Sequence, residues 1–207
     1  MKYREERREV ARFMRRLYRH GLTTTSGGNI SLRLDDDIVL ITPSATDKGR
    51  MKGSEVGIMT LDGKNLTPSL KPSIETGMHL SVYRRRDVKA IVHAHPVFAT
   101  SFTAMKRKIN TSLTAEACAI IREPVLVPYT LMGSPGLAEN VSALADESDL
   151  LLLENHGILA VGTNLLQAFD RIEVLENAAR MTFIVEMMGR KSPLTTARAE
   201  EIRRLFR

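Results

Sequence analysis

Val10, Phe13, Met14 and Leu17 recur at helical spacing and Gly21 follows as a stop, which predicts a first helix over about residues 3–20. Short apolar runs follow. Ile30–Leu34 and Ile38–Thr42 flank the acidic turn Asp35–Asp37, and Gly57–Leu61 ends at the turn pair Asp62–Gly63, so all three read as strands. Pro72 suits the first turn of a helix running to about Arg86. Ala90–His95 reads as a buried strand, and Pro96 opens another helix. Pro124–Tyr129 and Leu150–Leu153 are further strands, and Ile158–Val161 completes a hairpin through Asn155–Gly157. The longest helical pattern is Leu165–Met188, and Glu200–Phe206 reads as a short terminal helix. Strands and helices alternate, though imperfectly. That order predicts an α/β layered fold, with residues 1–207 as a single domain free of linkers, repeats and low-complexity segments.

Composition narrows the function classes. Thirty Lys and Arg against twenty-four Asp and Glu leave a formal charge of +6. Much of the excess sits in Lys2–Arg19, Arg84–Arg86 and Arg198–Arg207, interleaved with Glu and apolar residues. Such segments are solvated helix faces rather than a phosphate-tracking stripe. Aromatics are only 5% and Trp is absent, so stacking platforms are scarce and no nucleic-acid partner is expected. A net positive charge still attracts small anionic substrates. The lone Cys118, in the apolar stretch Ala117–Ile121, reads as a small core residue. One thiol allows no internal disulfide and favours a reducing compartment. Without a signal-peptide pattern or an apolar run of membrane length, the expectation is a cytoplasmic chain with no membrane partner.

The candidate chemistry lies in the histidines. His93 and His95 stand two apart on a predicted strand, which puts both imidazoles on one face. His156 lies where a second apolar strand turns. Three neutral imidazoles with an open position form a common zinc arrangement, and other divalent ions can substitute. His20, closing the first helix, and His79, inside the second, are assigned to structure. Three loops, 23–29, 42–49 and 71–75, are rich in small and hydroxyl residues. Singly each is a capped turn; converged, they would cradle a phosphate or carboxylate.

Taken in order, Ser26-Gly27-Gly28-Asn29-Ile30-Ser31, Thr42-Pro43-Ser44, Lys71-Pro72-Ser73-Ile74-Glu75, His93-Ala94-His95-Pro96 and Asn155-His156-Gly157 resemble the class II aldolase/adducin family, and within it the fuculose-phosphate aldolase-like branch. The resemblance spans about residues 8–188. It implies a three-layer α/β/α domain around a mainly antiparallel sheet, assembled as a cyclic homotetramer with active sites between subunits. It makes His93, His95 and His156 ligands of Zn2+, and Glu75 a fourth ligand at rest and the catalytic base with substrate bound. It puts Gly28, Asn29, Ser44, Ala45 and Ser73 at the substrate phosphate.

The implied reaction is cleavage of a (deoxy)ketose 1-phosphate to dihydroxyacetone phosphate and an aldehyde through a metal-stabilised enediolate. A pentulose-5-phosphate 4-epimerase and a sugar-acid phosphate decarboxylase of the same fold are alternatives, as is a noncatalytic adducin-like module. This chain departs from the pattern at Ala45, where glycine is common, and at Ile74, where a second serine is common. In that branch a neighbouring subunit's tyrosine donates a proton. The matching segment here is Thr114-Ala115-Glu116, and no tyrosine follows Met188. Tyr129 is a candidate replacement, with a structural role as its alternative.

Overall fold

The computed structural model describes residues 2–205. Helix α1 (Arg4–Arg19) carries Glu5 and Glu6 in its first turn and Arg16 and Arg19 in its last, charges that complement its dipole. Strands β1 (Asn29–Arg33), β2 (Ile38–Ile41) and β3 (Gly57–Thr60) follow, then α2 (Thr76–Arg85), β4 (Ala90–Ala94) and α3 (Val97–Met105). Next come α4 (Ala115–Ile120), β5 (Val125–Val127), α5 (Pro135–Leu144), β6 (Leu150–Leu153), β7 (Gly157–Gly162), α6 (Leu165–Met187) and α7 (Thr196–Leu205).

The strands form one seven-stranded sheet in the order β3-β2-β1-β4-β7-β6-β5. Every pair is antiparallel except β5–β6, whose parallel crossover runs through α5. Side chains alternate across it. Ile30, Leu40, Val92, Ile158 and Ala160 join α1, α3 and α6 in one core, where Phe13 and Phe169 meet at 5.6 Å between ring centroids. Val39, Ile91, Leu151, Leu159 and Val161 join α2 and α5 in the other. This is a mainly antiparallel sheet between two helical layers. Strands β6 and β7 are buried along their whole length because helices cover both faces, hence their unbroken apolar runs.

Two helices escape the periodicity argument. In α5, Ser134 accepts from the Leu137 amide at 3.2 Å and Pro135 opens the helix, but Gly136, Glu139 and Asn140 dilute its apolar stripe. Helix α4 has only six residues, too few for a period to show. The second predicted helix starts at Thr76 rather than Pro72. Pro72 instead pairs with Pro43 as an isolated bridge, and Ser44 N–H donates to the Lys71 carbonyl at 3.0 Å, so the chain stays extended there. The terminal helix begins at Thr196, four residues before the expected Glu200, and Phe206 lies outside the described residues. Cys118 is buried, its thiol 3.5 Å from the Ala199 carbonyl. No helix among the described residues is long and apolar enough to cross a membrane.

Candidate functional site

The register of β4 against β7 assembles the histidines. His93 pairs with Leu159 and Ala94 with Ile158, so the β6–β7 turn carrying His156 folds back beside His93 and His95. That turn needs Asn155 in the left-handed region (φ 53°), where asparagine is among the better-tolerated side chains. Gly157 must be small: a Cβ there would stand 2.4 Å from His95 Cδ2 and 2.7 Å from the Ala94 carbonyl. The nitrogens of His93, His95 and His156 consequently lie within 4.8 Å of one another.

Late initiation of α2 brings the carboxylate in. Glu75 sits at the helix N-cap position with its own amide 3.3 Å from Ser73 Oγ. Its Oε2 lies 3.3 Å from His93 Nε2, and its Oε1 lies 3.0 Å from His156 Nε2. Asn29 Nδ2 donates to Oε2 at 2.7 Å. Burial pushes the Glu75 carboxyl up, but the facing imidazole edges and the Asn29 amide outweigh it and hold the group well below the usual carboxylate range. Burial, aided by the neighbouring rings, lowers His95 to about 3, and burial also depresses His93. Burial thus favours in both rings the neutral form, the one in which imidazole ligates.

These residues fit a divalent cation. His93 Nδ1 donates to the Ile158 carbonyl at 2.9 Å, which fixes the tautomer and turns the Nε2 lone pair toward His95 Nε2, 3.1 Å away. Glu75 Oε1 is buried and accepts no hydrogen bond among the described residues. Three nitrogen donors and a carboxylate oxygen aimed at one point form a donor set suited to zinc and its neighbours.

The three small-residue loops do converge. Lys48 N–H donates to the Thr25 carbonyl at 2.9 Å, tying loop 42–49 to loop 23–29, and the Pro43–Pro72 bridge ties it to loop 71–75. Gly28 (φ 66°) passes so close to β4 that a Cβ would stand 2.7 Å from the His93 carbonyl. Ala45 takes the left-handed conformation (φ 52°), which explains why glycine is common there. Ser73 is buried, and across the Pro43–Pro72 bridge Ser44 stands opposite Lys71. Asn29 is spent inward, its two amide atoms engaged by Glu75 and His79. Tyr129 is 60% exposed beyond the end of β5; its amide donates to Glu154, the residue before Asn155 and His156.

The sequence reading missed two features. Lys48 is buried beneath the converged loops with its ammonium donating to the Pro43 carbonyl at 2.6 Å, and burial lowers it to about 8. The ring of His79, assigned to structure, bonds to the Asn29 and Ser31 side chains. A signal existed: Glu75, His79 and Tyr83 recur every four residues on a helix, opposite Asn29 and Ser31 two apart on a strand.

Comparison with known proteins agrees with this architecture. The family model described as "Class II Aldolase and Adducin N-terminal domain" matches residues 8–183. An L-fuculose phosphate aldolase of Methanococcus maripaludis is 37% identical over 170 residues, 82% of this chain and 91% of that protein. A 3-oxo-tetronate 4-phosphate decarboxylase of Haemophilus influenzae is 34% identical over 177 residues, 83% of this chain and 84% of that one. A solved L-fuculose 1-phosphate aldolase superimposes with a TM-score of 0.91 at 29% identity, covering 100% of this chain and 98% of that chain.

Proposed function

The chain belongs to the class II aldolase and adducin family, and from that premise we propose that it is a zinc-dependent aldolase cleaving a ketose 1-phosphate to dihydroxyacetone phosphate and an aldehyde. The observation that carries this reading is Glu75, a buried carboxylate held against three converging imidazoles. His93, His95 and His156 would hold the cation, which when bound supplies Lewis-acid stabilisation of the oxyanion that develops beside the breaking bond.

Glu75 moves the proton. In synthesis it removes a proton from the carbon that becomes the nucleophile. In cleavage it first takes up the proton shed by the substrate hydroxyl as the carbon–carbon bond breaks, and then delivers it to the carbon left electron-rich as the aldehyde departs. Its neighbours keep it ionised between turnovers, ready for the synthetic direction. The converged loops take the phosphate through the Gly28, Ser44, Ala45 and Ser73 segment, with the Lys48 charge beneath. Tyr129 is our candidate to protonate the aldehyde oxygen in synthesis, since Glu154 anchors its backbone beside the His156 turn. Ile74, Tyr129, Leu131 and Met132 are each more than half exposed, and Gly133 packs against Ile74. An apolar rim of this kind suits an active site closed by a neighbouring subunit of a homotetramer. A single buried thiol suits the cytoplasm.

A second reading, decarboxylation of a keto-acid sugar phosphate, is favoured by the 34% identity to the Haemophilus decarboxylase. It leaves an electron pair at a carbon of the same kind. The test is a panel of ketose 1-phosphates and 3-keto sugar-acid phosphates given to the zinc-loaded protein, with dihydroxyacetone phosphate and carbon dioxide both measured. Chelator-sensitive release of dihydroxyacetone phosphate, lost in Glu75→Gln, is the expected result. Carbon dioxide alone would replace the aldolase reading with the decarboxylase one.

A further inference from the structure

A chain of buried polar groups runs away from Glu75 into the layer between β1, β4 and α2. Asn29 Nδ2 meets Glu75 Oε2 at 2.7 Å, and Asn29 Oδ1 meets His79 Nε2 at 2.5 Å. His79 Nδ1 meets Ser31 Oγ at 2.7 Å, and Ser31 Oγ meets Tyr83 Oη at 2.8 Å. His79 and Ser31 are wholly buried, and Tyr83 is nearly so.

Only one assignment of protons satisfies every link. An ionised Glu75 can only accept, so Asn29 must turn its NH2 group toward it. The Asn29 oxygen then faces His79 Nε2, which must donate. A wholly buried imidazole without a counter-ion of its own is neutral and carries a single proton, so His79 Nδ1 must accept. Ser31 supplies that proton and can satisfy its contact with Tyr83 only by accepting, and at 2.8 Å it is a nearer acceptor for the Tyr83 hydroxyl than the Lys89 carbonyl at 3.4 Å. The polarity therefore runs from Tyr83 through Ser31, His79 and Asn29 to Glu75. Each bond polarises the next, and all of them point at the carboxylate.

We propose that His79 is a positioning residue: its Nε2 proton locks the Asn29 amide in the one orientation that presents NH2 to Glu75. Without that lock the amide can flip, bringing its oxygen against a carboxylate oxygen and driving Glu75 off the point where the imidazoles converge. The proposal rests on Glu75 as the proton-carrying group for its catalytic consequence, but not for the tautomer or the effect on metal binding.

The test has two arms, both on the full-length protein. Nitrogen-15 spectra of histidine-labelled, chelated protein at pH 7 should show the His79 signal, assigned by its loss in His79→Gln, as the neutral Nε2–H tautomer. A proton on Nδ1, or on both nitrogens, overturns the proposal. In the second arm, His79→Phe should weaken zinc affinity by about 10–100-fold and lower kcat by a similar factor with KM nearly unchanged. His79→Gln, whose amide can donate to Asn29, should restore both to within about threefold. Wild-type affinity and kcat in folded His79→Phe overturn the proposal, as does a failure of glutamine to do better than phenylalanine.

Should the phenylalanine variant not fold, Ser31→Ala carries the second arm. Zinc affinity weakened by about threefold or more supports the relay, and unchanged affinity overturns it. If the wild type cleaves no ketose phosphate, the aldolase reading fails while the spectra and the zinc titration still decide this proposal.

Discussion

The two faces of strands β1 and β4 are built on opposite terms. Toward α1 and α6, Ile30, Val92 and Ala94 pack against Phe13, Phe169 and Leu175, all buried and none polar. Toward α2, the alternate residues Asn29, Ser31 and His93 meet Glu75, His79 and Tyr83 through directed hydrogen bonds and close polar contacts. The first face stabilises through volume and tolerates sliding by small amounts. The second depends on which atom carries each proton, so a substitution of equal size but wrong polarity breaks it. The α2 side also packs Ile91 of β4 into the second core, so it combines burial with chemistry, whereas the α1 and α6 side is packing alone.

Phe169→Ala should show this separation most strongly. Loss of a fully buried ring costs about 3–5 kcal/mol in urea unfolding. Zinc stoichiometry and turnover per folded molecule should be unchanged, and a lost zinc site in the folded variant would show that the faces are not independent.

Acidification reaches the polar face through its buried histidines. Burial lowers His79 to about 3 in the folded state, while its ordinary value is 6.5. Below 6.5 the unfolded chain takes up a proton that the folded one refuses, so stability present above 6.5 is lost as pH falls toward 3. Between pH 6.5 and 5 the chelated protein should lose about 2 kcal/mol from His79. Denaturant midpoints across that range check this: His79→Gln should remove that share of the slope, leaving the part that the buried His93 and His95 contribute.

Of these features, those carried by one element were legible in the amino-acid sequence. The alternation in β1, the unbroken runs of β6 and β7, and the stripe of α1 each follow from a local period. The His-x-His pair, Asn155-His156-Gly157 and Glu75 were legible through their order along the chain. The relay was not. Ser31, His79 and Tyr83 are each unremarkable alone, and only the packing of α2 on β1 makes them neighbours. The start of α2 was misjudged for a similar reason: a proline favours a helix locally, but a bridge to Pro43, distant in sequence, holds it extended.

Glu176 tests a buried carboxylate on the apolar side. Only 6% exposed, it accepts the Phe98 amide at 3.0 Å and the Ala99 amide at 2.8 Å, capping α3 from a neighbouring helix. Glu176→Gln should cost about 1–2 kcal/mol in thermal or urea unfolding, since the charge-assisted bonds to the helix start are weakened. A neutral result would make the cap incidental.

The smallest expected effect has the opposite sign. Ala45 holds φ 52°, a conformation that costs an alanine about 1–2 kcal/mol and a glycine almost nothing. Part of the gain is returned as unfolded-state entropy, so Ala45→Gly should stabilise the protein by about 0.5–1 kcal/mol. A fall in melting temperature would show that the loop draws on the methyl group for packing.

The pairing of β4 with β7 has a consequence for how such a chain can diverge. His93 and His156 are held together by cross-strand hydrogen bonds at the Leu159 and Ile158 positions, not by the stretch of chain that separates them. The part of that stretch before β6, with α3, α4 and α5, can therefore lengthen or shorten at its loops without altering the spacing of the ligands, while β6 must stay to pair with β7 and carry the His156 turn. A one-residue insertion inside β4 would instead turn His93 to the opposite side of the sheet. Descendants of this fold are free to change what they recognise through insertions and deletions between the two strands, while the reading frame of the strands themselves stays closed to them.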